Sequence, residues 1–220
     1  MRPWRNELQE YRNDLMRKIC HLQGSETYSN QYSRMRLNWL KSEIINIEYF
    51  FFRSVAFYET ALEWMKLNNM KSVVDIGCGS AFQAEMFEKN GIRYYGIEEN
   101  SAIKKWRKDC HYILDKYPCQ LNEIEKHIAI SRLCIGYYPC DYRILAKDFQ
   151  FLIIDNIKDF EKINQYFWNV AVIPCEDANP DGTKDVVYVF ESKGKACVKT
   201  KIRHEKSIAM EHMVGKGEKV

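Results

Sequence analysis

Val73-Val74-Asp75-Ile76-Gly77-Cys78-Gly79-Ser80-Ala81 is the stretch that decides the fold of this 220-residue chain. It begins with a short apolar run, carries an acid near the end of that run, and continues into a turn with two glycines. Glycine is needed in such a turn because a β-carbon would obstruct both the sharp bend and the close approach of a ligand to the backbone. The stretch therefore predicts a strand over 72–77, a ligand-binding turn and a helix over about 81–90.

The next apolar run, Ile-Arg-Tyr-Tyr-Gly-Ile-Glu at 92–98, predicts a second strand. It ends at Glu98, nineteen residues after Gly79. In a parallel sheet the carboxyl ends of neighbouring strands lie at one edge, so this carboxylate is placed to accept hydrogen bonds from both hydroxyls of a ribose. Strand, turn, helix, strand and acid, in this order, predict an α/β domain with a nucleotide-like ligand.

This combination resembles the first motif of the class I S-adenosylmethionine-dependent methyltransferases, which is an acid, one further residue and then Gly-x-Gly-x-Gly. The resemblance implies an α/β fold with a Rossmann-like, seven-stranded and mostly parallel sheet, helices on both faces, and S-adenosylmethionine as the cofactor. The resemblance implies that Glu98 contacts the ribose of the cofactor. It also implies that the turn contacts the methionine part, through Asp75, Gly77, Cys78, Gly79 and Ser80.

Two positions of the turn depart from related fingerprints. The third glycine of the methyltransferase motif is Ala81 in this chain, which narrows the turn slightly. Dinucleotide fingerprints have a glycine three positions after Gly79, where this chain has Phe82, and a phenylalanine there would crowd a pyrophosphate on the helix N-terminus. S-adenosylmethionine is therefore favoured over a nicotinamide or flavin dinucleotide.

Downstream of Glu98 the order of the elements is open. A helix is predicted from about 101 to 114 and another over 158–168, and strands are predicted over 127–135, 149–155, 169–175, 185–191 and 196–204. If 127–135 is the third strand, Asp141 lies in the loop that faces the adenine. If the third strand instead lies near 110–115, Asp115 takes that role. The first register is preferred because it leaves room for a full helix after Glu98.

In the preferred register the run at 149–155 is the fourth strand. Asp155 then emerges where class I enzymes present their catalytic motif, and it is predicted to position or deprotonate the acceptor. An equally simple role for Asp155 is to cap the helix at 158–168. Asp155 together with Glu176 and Asp177 would also form a magnesium site, although no metal is assigned.

The N-terminal segment predicts helices without catalytic motifs. A stripe of Trp4, Leu8, Tyr11, Leu15 and Ile19 has helical spacing, and residues 31–67 predict one long helix or two joined by a kink. The aromatics of this stretch either pack in the core or line a substrate pocket, and these are Tyr49, Phe50, Phe51, Phe52 and Tyr58. The predicted organisation is a helical extension or cap over 1–68, the cofactor domain over 69–207 and a tail over 208–220.

Composition narrows the class of partner. The formal charge is +3, no stretch approaches the roughly 20 apolar residues of a membrane span, and the eight cysteines form no Cys-x-x-Cys pair. These features predict a cytoplasmic protein with reduced thiols and disfavour a nucleic-acid partner. The exception is 193–206, with six basic residues against one acid, which keeps an RNA partner open.

The sequence as a whole predicts methyl transfer from S-adenosylmethionine to a small-molecule acceptor. The first alternative is a non-catalytic protein that binds the cofactor and docks a protein partner through its N-terminal helices. The second alternative is an RNA methyltransferase. The sequence predicts neither the acceptor nor the oligomeric state.

Overall fold

The computed structural model describes most of the chain and contains one seven-stranded sheet. The described residues are 3–24, 31–100, 110–121, 127–176, 178, 182 and 184–195. The strands are β1 Ser72–Ile76, β2 Arg93–Ile97, β3 His111–Ile113, β4 Ile128–Ser131, β5 Phe151–Ile154, β6 Phe167–Pro174 and β7 Val186–Ser192. The helices are α1 Pro3–Gln23, α2 Gln31–Arg53, α3 Val55–Leu67, α4 Ala84–Glu88, α5 Tyr142–Asp148 and α6 Phe160–Tyr166.

The strand order in the sheet is β3-β2-β1-β4-β5-β7-β6. The first five strands of this order are parallel, and β7 runs antiparallel between β5 and β6. The central strand β1 is buried along its whole length, as expected for a parallel strand that is covered on both faces. The carboxyl ends of β1 to β6 therefore lie at one edge of the sheet, which we call the carboxyl edge.

Helices cover both faces of the sheet. Val73 of β1 belongs to the apolar layer that contains residues of α1 to α4. Its neighbour Val74 points to the opposite face, into the layer that contains residues of α5 and α6. The α/β class, the seven-stranded mostly parallel sheet and the helices on both faces are thus confirmed.

The N-terminal helices pack onto the first of these layers. Leu15 and Ile19 of α1 and Leu37 and Leu40 of α2 are buried in it. The long helical stretch is divided in two, because the backbone leaves helical geometry at the buried Ser54 (φ −133°, ψ −20°). None of the described helices contains an apolar stretch that could cross a bilayer.

The preferred register is wrong. The third strand is β3 at His111–Ile113, where the preferred register has the end of a helix, so the run at 127–135 forms the fourth strand and the run at 149–155 the fifth. The sequence hides β3 because it has only three residues at the edge of the sheet, and none of them is fully buried. The predicted strand at 196–204 lies outside the described residues.

Candidate functional site

The glycine turn follows β1 directly and is attached to β2. Gly77 N and Cys78 N both donate to the carbonyl of Ile97, at 2.9 and 3.1 Å. Gly77 and Gly79 adopt positive φ angles of 77° and 58°, which glycine reaches without steric cost. Ala81 also has a positive φ, of 54°, so the alanine keeps the backbone conformation that the third glycine of the motif would favour.

The two glycines of the turn meet different surroundings. A β-carbon at Gly77 would lie 2.6 Å from the β-carbon of Cys134, in the loop after β4. Among the described residues, no atom lies within 4 Å of a β-carbon placed at Gly79. The turn is therefore tightly packed at its start and faces open volume at Gly79.

Glu98 lies beside this open volume, as the sequence predicts. Its Oε2 accepts from Gly79 N at 3.0 Å, and its Oε1 accepts from Asn100 N at 2.9 Å. Tyr112 of β3 donates its hydroxyl to the carbonyl of Gly79 at 2.9 Å. The sequence did not identify Tyr112, because β3 was hidden.

Asp75 is fully buried beneath the turn. Its Oδ2 accepts from Gln83 Nε2 at 2.6 Å and from the Tyr94 hydroxyl at 2.7 Å, while its Oδ1 accepts from the Tyr58 hydroxyl at 3.4 Å. Burial raises the pKa of Asp75 to about 6, although the three hydrogen bonds act in the opposite direction. Asp75 thus contacts the buried side of the turn rather than the open volume.

The two remaining residues of the predicted methionine site are also buried. Cys78 lies close to β2, where a β-carbon at Gly96 would be 2.7 Å from the sulfur, and burial raises the pKa of this thiol well above its usual value. Ser80 is buried as well, between Gly79 and Ala81. Both residues therefore contribute mainly through the backbone of the turn.

Asp155 is part of a partly buried ion-pair cluster and not a free carboxylate. Arg132, which follows β4, donates to Asp155 Oδ2 and, at 2.9 Å, to Asp185 Oδ1. The Asp155 side chain is 3% exposed. Its proposed catalytic role depended on a position after the fourth strand, but Asp155 follows β5, so that basis for the role is lost.

Asp141 caps α5, a helix that the sequence analysis did not predict. Its Oδ1 accepts from Arg143 N at 3.0 Å and from Ile144 N at 3.3 Å. The adenine role of Asp141 depended on a third strand at 127–135, and this segment is the fourth strand. The structure has the alternative register, with the third strand near 110–115, and the exposed Asp115 follows this strand.

The loop after β4 is hydrogen-bonded to the loop after β5 and carries two exposed aromatic rings. Asn156 donates to the carbonyl of Ile135 at 3.0 Å and fills the space beside Gly136, whose φ is 86°. Tyr137 and Tyr138 follow with 44% and 66% of their surface exposed. Since the same loop packs on Gly77 through Cys134, the exposed rings stand near the glycine turn.

The described residues contain no group of three or more histidine, cysteine or acidic side chains arranged to hold a metal ion. Of the three acids of the possible magnesium site, Asp155 forms an ion pair with Arg132, and Glu176 is exposed. Asp177, the third member of the possible magnesium site, lies outside the described residues.

No family model matches the chain, and no curated protein matches it significantly. Solved structures do match. An S-adenosylmethionine-dependent methyltransferase from Clostridium acetobutylicum is 8% identical, covers 69% of this chain and 98% of its own, and has a TM-score of 0.51. The chain has the class I methyltransferase fold. At this identity the likeness shows the fold alone.

Two further structures with this methyltransferase fold are similar at lower TM-scores. A TehB-like methyltransferase from Corynebacterium glutamicum is 14% identical, with 77% of this chain and 100% of its own covered and a TM-score of 0.49. Magnesium protoporphyrin IX methyltransferase from Synechocystis, solved with bound S-adenosylmethionine, is 12% identical, with 61% and 77% covered and a TM-score of 0.46.

Within this methyltransferase fold, sequence reasoning identified the turn and Glu98 but missed their supports. Gln83 and Tyr94 hold Asp75, and Arg132 holds Asp155. A weak signal existed for Tyr94, because the alternation of β2 places it on the same face as Gly96, opposite Asp75 in the register. No local pattern identifies Gln83 or Arg132.

Proposed function

We propose that the protein binds S-adenosylmethionine at the glycine turn and transfers its methyl group to a small-molecule acceptor. One observation carries this proposal: the backbone of Gly79 faces open volume, and the carboxylate of Glu98 lies within hydrogen-bond distance of its amide. The absence of a side chain at Gly79 leaves room for the methionine part of the cofactor, and a carboxylate suits two adjacent ribose hydroxyls. The residues present therefore fit the cofactor that the fold implies.

The roles of the residues follow from these positions. The backbone of 77–80 holds the methionine part, Glu98 accepts from the ribose, and Tyr112 fixes the carbonyl of Gly79. Asp115, in the loop after β3, is the candidate for the adenine side. When bound, the cofactor would supply an electrophilic methyl group on a sulfonium, and its transfer in line to an acceptor would break the S–CH3 bond and leave S-adenosylhomocysteine.

The acceptor is proposed to lie against the loops after β4 and β5. The loop after β4 meets the turn through Cys134 and carries the exposed Tyr137 and Tyr138, and the loop after β5 is attached to it by the hydrogen bond from Asn156 to the carbonyl of Ile135. Asp155 is paired with Arg132, so we assign no general base and attribute catalysis to alignment and proximity, which are large effects in bimolecular reactions.

A small molecule is favoured over RNA by the charge of the carboxyl edge. The described loop residues there include eight acids and four bases, and a surface that follows phosphates needs the opposite balance. The acids are Glu98, Glu99, Asp115, Asp141, Asp155, Asp159, Glu176 and Asp185. The bases are Lys116, Arg132, Lys158 and Lys184.

Calorimetric titration with S-adenosylmethionine and S-adenosylhomocysteine tests the cofactor site. Gly79→Val places a side chain in the open volume and is expected to weaken binding about 100-fold or more. Gly91→Val is the matched control, because Gly91 also has a positive φ (73°) and no atom within 4 Å of a β-carbon, but lies after α4 away from the turn. Equal affinity of both variants would refute the assigned site.

Two other functions remain distinguishable from the main proposal. Tight cofactor binding without turnover on a broad acceptor panel would favour the non-catalytic binding protein. RNA affinity that falls steeply with salt would favour an RNA methyltransferase, and the basic stretch that suggests it is described only over 193–195.

The proposed organisation of the chain has three parts. We place a helical extension or cap over 1–68, the cofactor domain over 69–207 and a tail over 208–220. A cytoplasmic location is proposed from the cysteine pattern, since the eight cysteines form no Cys-x-x-Cys pair.

A further inference from the structure

The first turn of α3 reaches the carboxyl edge at three strands. The carbonyl of Ala56 accepts from Cys175 Sγ, after β6, at 3.4 Å. The Phe57 ring lies 5.8 Å from the guanidinium carbon of Arg132, after β4. Tyr58 donates to Asp75 in β1. Three successive residues of the N-terminal segment thus contact the edge that carries the glycine turn.

Tyr58 is the member of this group that connects to the turn. Its hydroxyl reaches Asp75 Oδ1 at 3.4 Å, and Asp75 Oδ2 accepts from Gln83 Nε2 at 2.6 Å. Gln83 Nε2 also lies 3.1 Å from the carbonyl of Cys78, the middle residue of the turn. A continuous chain of hydrogen bonds therefore runs from α3 to the backbone next to Gly79.

This chain is shielded from water. Tyr58, Asp75, Gln83 and Tyr94 are all buried, and Tyr94 adds its own bond to Asp75. Hydrogen bonds of this kind are stronger in a low-dielectric interior, and an unpaired member is costly. A change at one end is therefore transmitted to the other end rather than absorbed by solvent.

We propose that Tyr58 is a positioning residue for the cofactor site, acting through Asp75 and Gln83 on the carbonyl of Cys78. The N-terminal helical segment is then a functional part of the cofactor site, and it sets the direction in which the Gly79 backbone faces its ligand. This inference rests on the proposed function, because the cofactor itself is part of that proposal.

Core packing is the competing role of Tyr58. Its ring makes edge contacts with the rings of Phe57 and Phe87, at centroid distances of 5.2 and 6.2 Å. Tyr58→Phe keeps these ring contacts and removes only the hydroxyl, so this variant separates the two roles.

Tyr11→Phe is the matched control. Tyr11 of α1 also donates its hydroxyl to a carboxylate of the helical segment, Glu43 Oε1, at 3.2 Å. Both variants remove one tyrosine–carboxylate hydrogen bond, and Tyr58→Phe also removes the bond that the Tyr58 hydroxyl accepts from Gln83 Nε2 at 3.3 Å, which belongs to the connection with the turn. Tyr11→Phe therefore reports the effect of a lost bond on the helices alone.

Two readouts are measured on the wild-type protein and both variants. Titration with S-adenosylhomocysteine is expected to show an affinity about 3- to 10-fold weaker for Tyr58→Phe and within about 2-fold of wild type for Tyr11→Phe. Amide hydrogen exchange of the ligand-free protein is expected to be faster at Cys78 and Gly79 in Tyr58→Phe only.

The outcomes separate this inference from the proposed function. Unchanged exchange at the turn in Tyr58→Phe, or the same change in both variants, would overturn the positioning role. If the wild-type protein binds neither S-adenosylmethionine nor S-adenosylhomocysteine, the proposed function fails, and the exchange measurement still decides whether Tyr58 positions the turn.

Discussion

The two halves of the carboxyl edge are filled in different ways. Beside β1 and β2, the backbone of Gly79 faces open volume and its amide pairs with Glu98. Beside β4, β5 and β7, Arg132 is enclosed between Asp155 and Asp185, and the three side chains expose 10%, 3% and 12% of their surface. The first half leaves space next to main chain, whereas the second half is closed by paired charges.

This difference indicates that the two halves have different roles, one in ligand binding and the other in stability. A substitution in the first half should change ligand affinity more than folding, because the space is open in the ligand-free protein. A substitution in the second half should change folding more than cofactor affinity, because its charges satisfy one another. The variants below test this division, from the largest expected effect to the smallest.

Arg132→Met is expected to have the largest effect on stability. It leaves Asp155 and Asp185 without their buried partner, so the free energy of unfolding should fall by about 3–5 kcal/mol in urea denaturation. Affinity for S-adenosylhomocysteine should stay within about 2-fold. The control is Arg143→Met, which breaks an exposed pair with Asp141 and should cost at most about 1 kcal/mol. Equal losses in the two variants would contradict the division.

The pH dependence of stability tests Asp75. Its pKa is raised from 3.8 to about 6 in the folded protein, so between these values the unfolded chain ionises while the folded protein keeps its proton. Stability from this group is therefore complete below pH 3.8 and is lost as the pH rises to about 6. The groups that interact with Asp75 include Tyr58, Gln83, Tyr94, Glu98 and the thiols of Cys78 and Cys134.

Asp75→Asn removes this titration. Between about pH 4 and 6 the wild-type protein should lose about 2–3 kcal/mol more of its unfolding free energy than Asp75→Asn. Urea denaturation at a series of pH values measures the difference. The control variant is Asp115→Asn, which also removes one carboxylate but at an exposed position. If the unfolding free energies of wild type and Asp75→Asn changed in parallel with pH, the pKa of Asp75 would not be raised in the folded protein.

Ala81→Gly should have the smallest effect. The substitution relieves the positive φ of Ala81, a gain of about 1 kcal/mol, but it adds chain entropy to the unfolded state and removes a buried methyl group. We expect stability within about 0.5 kcal/mol of wild type and cofactor affinity within about 2-fold. An affinity gain of about 10-fold or more would show that the missing third glycine impairs the site.

The two halves of the carboxyl edge also differ in how well the sequence predicts them. The strand, the turn and the second acid are encoded within 72–98, where strand patterns and glycines act locally, and the structure has them close to the predicted positions. The helix after the turn is shorter than the predicted 81–90 and spans only Ala84–Glu88.

The other half depends on residues that are distant in the chain. Arg132 and Asp155 are 23 residues apart, and Asp185 is 53 residues from Arg132, so no periodicity identifies the cluster. The three-residue β3 carried too little pattern to be recognised, and its loss shifted the numbering of every later strand. Asp141 and Asp155 were assigned roles from that shifted numbering.

The supports of Asp75 were hidden for the same reason. Its partners Tyr58, Gln83 and Tyr94 are 17, 8 and 19 residues away and come from different elements. The sequence is compatible with Tyr58 either in the core or in a pocket lining, and the structure places it in the core next to Asp75. The side chains of Tyr49, Phe50, Phe51 and Phe52 lie outside the described part of the structure.

A crystal structure with S-adenosylhomocysteine tests the central claim most directly. The account predicts that the amino-acid part of the ligand lies along the backbone of 77–80, that a ribose hydroxyl donates to Glu98, and that the Arg132 cluster stays intact. A crevice that remains empty at Gly79, or that is filled by the protein's own side chains, would contradict the account.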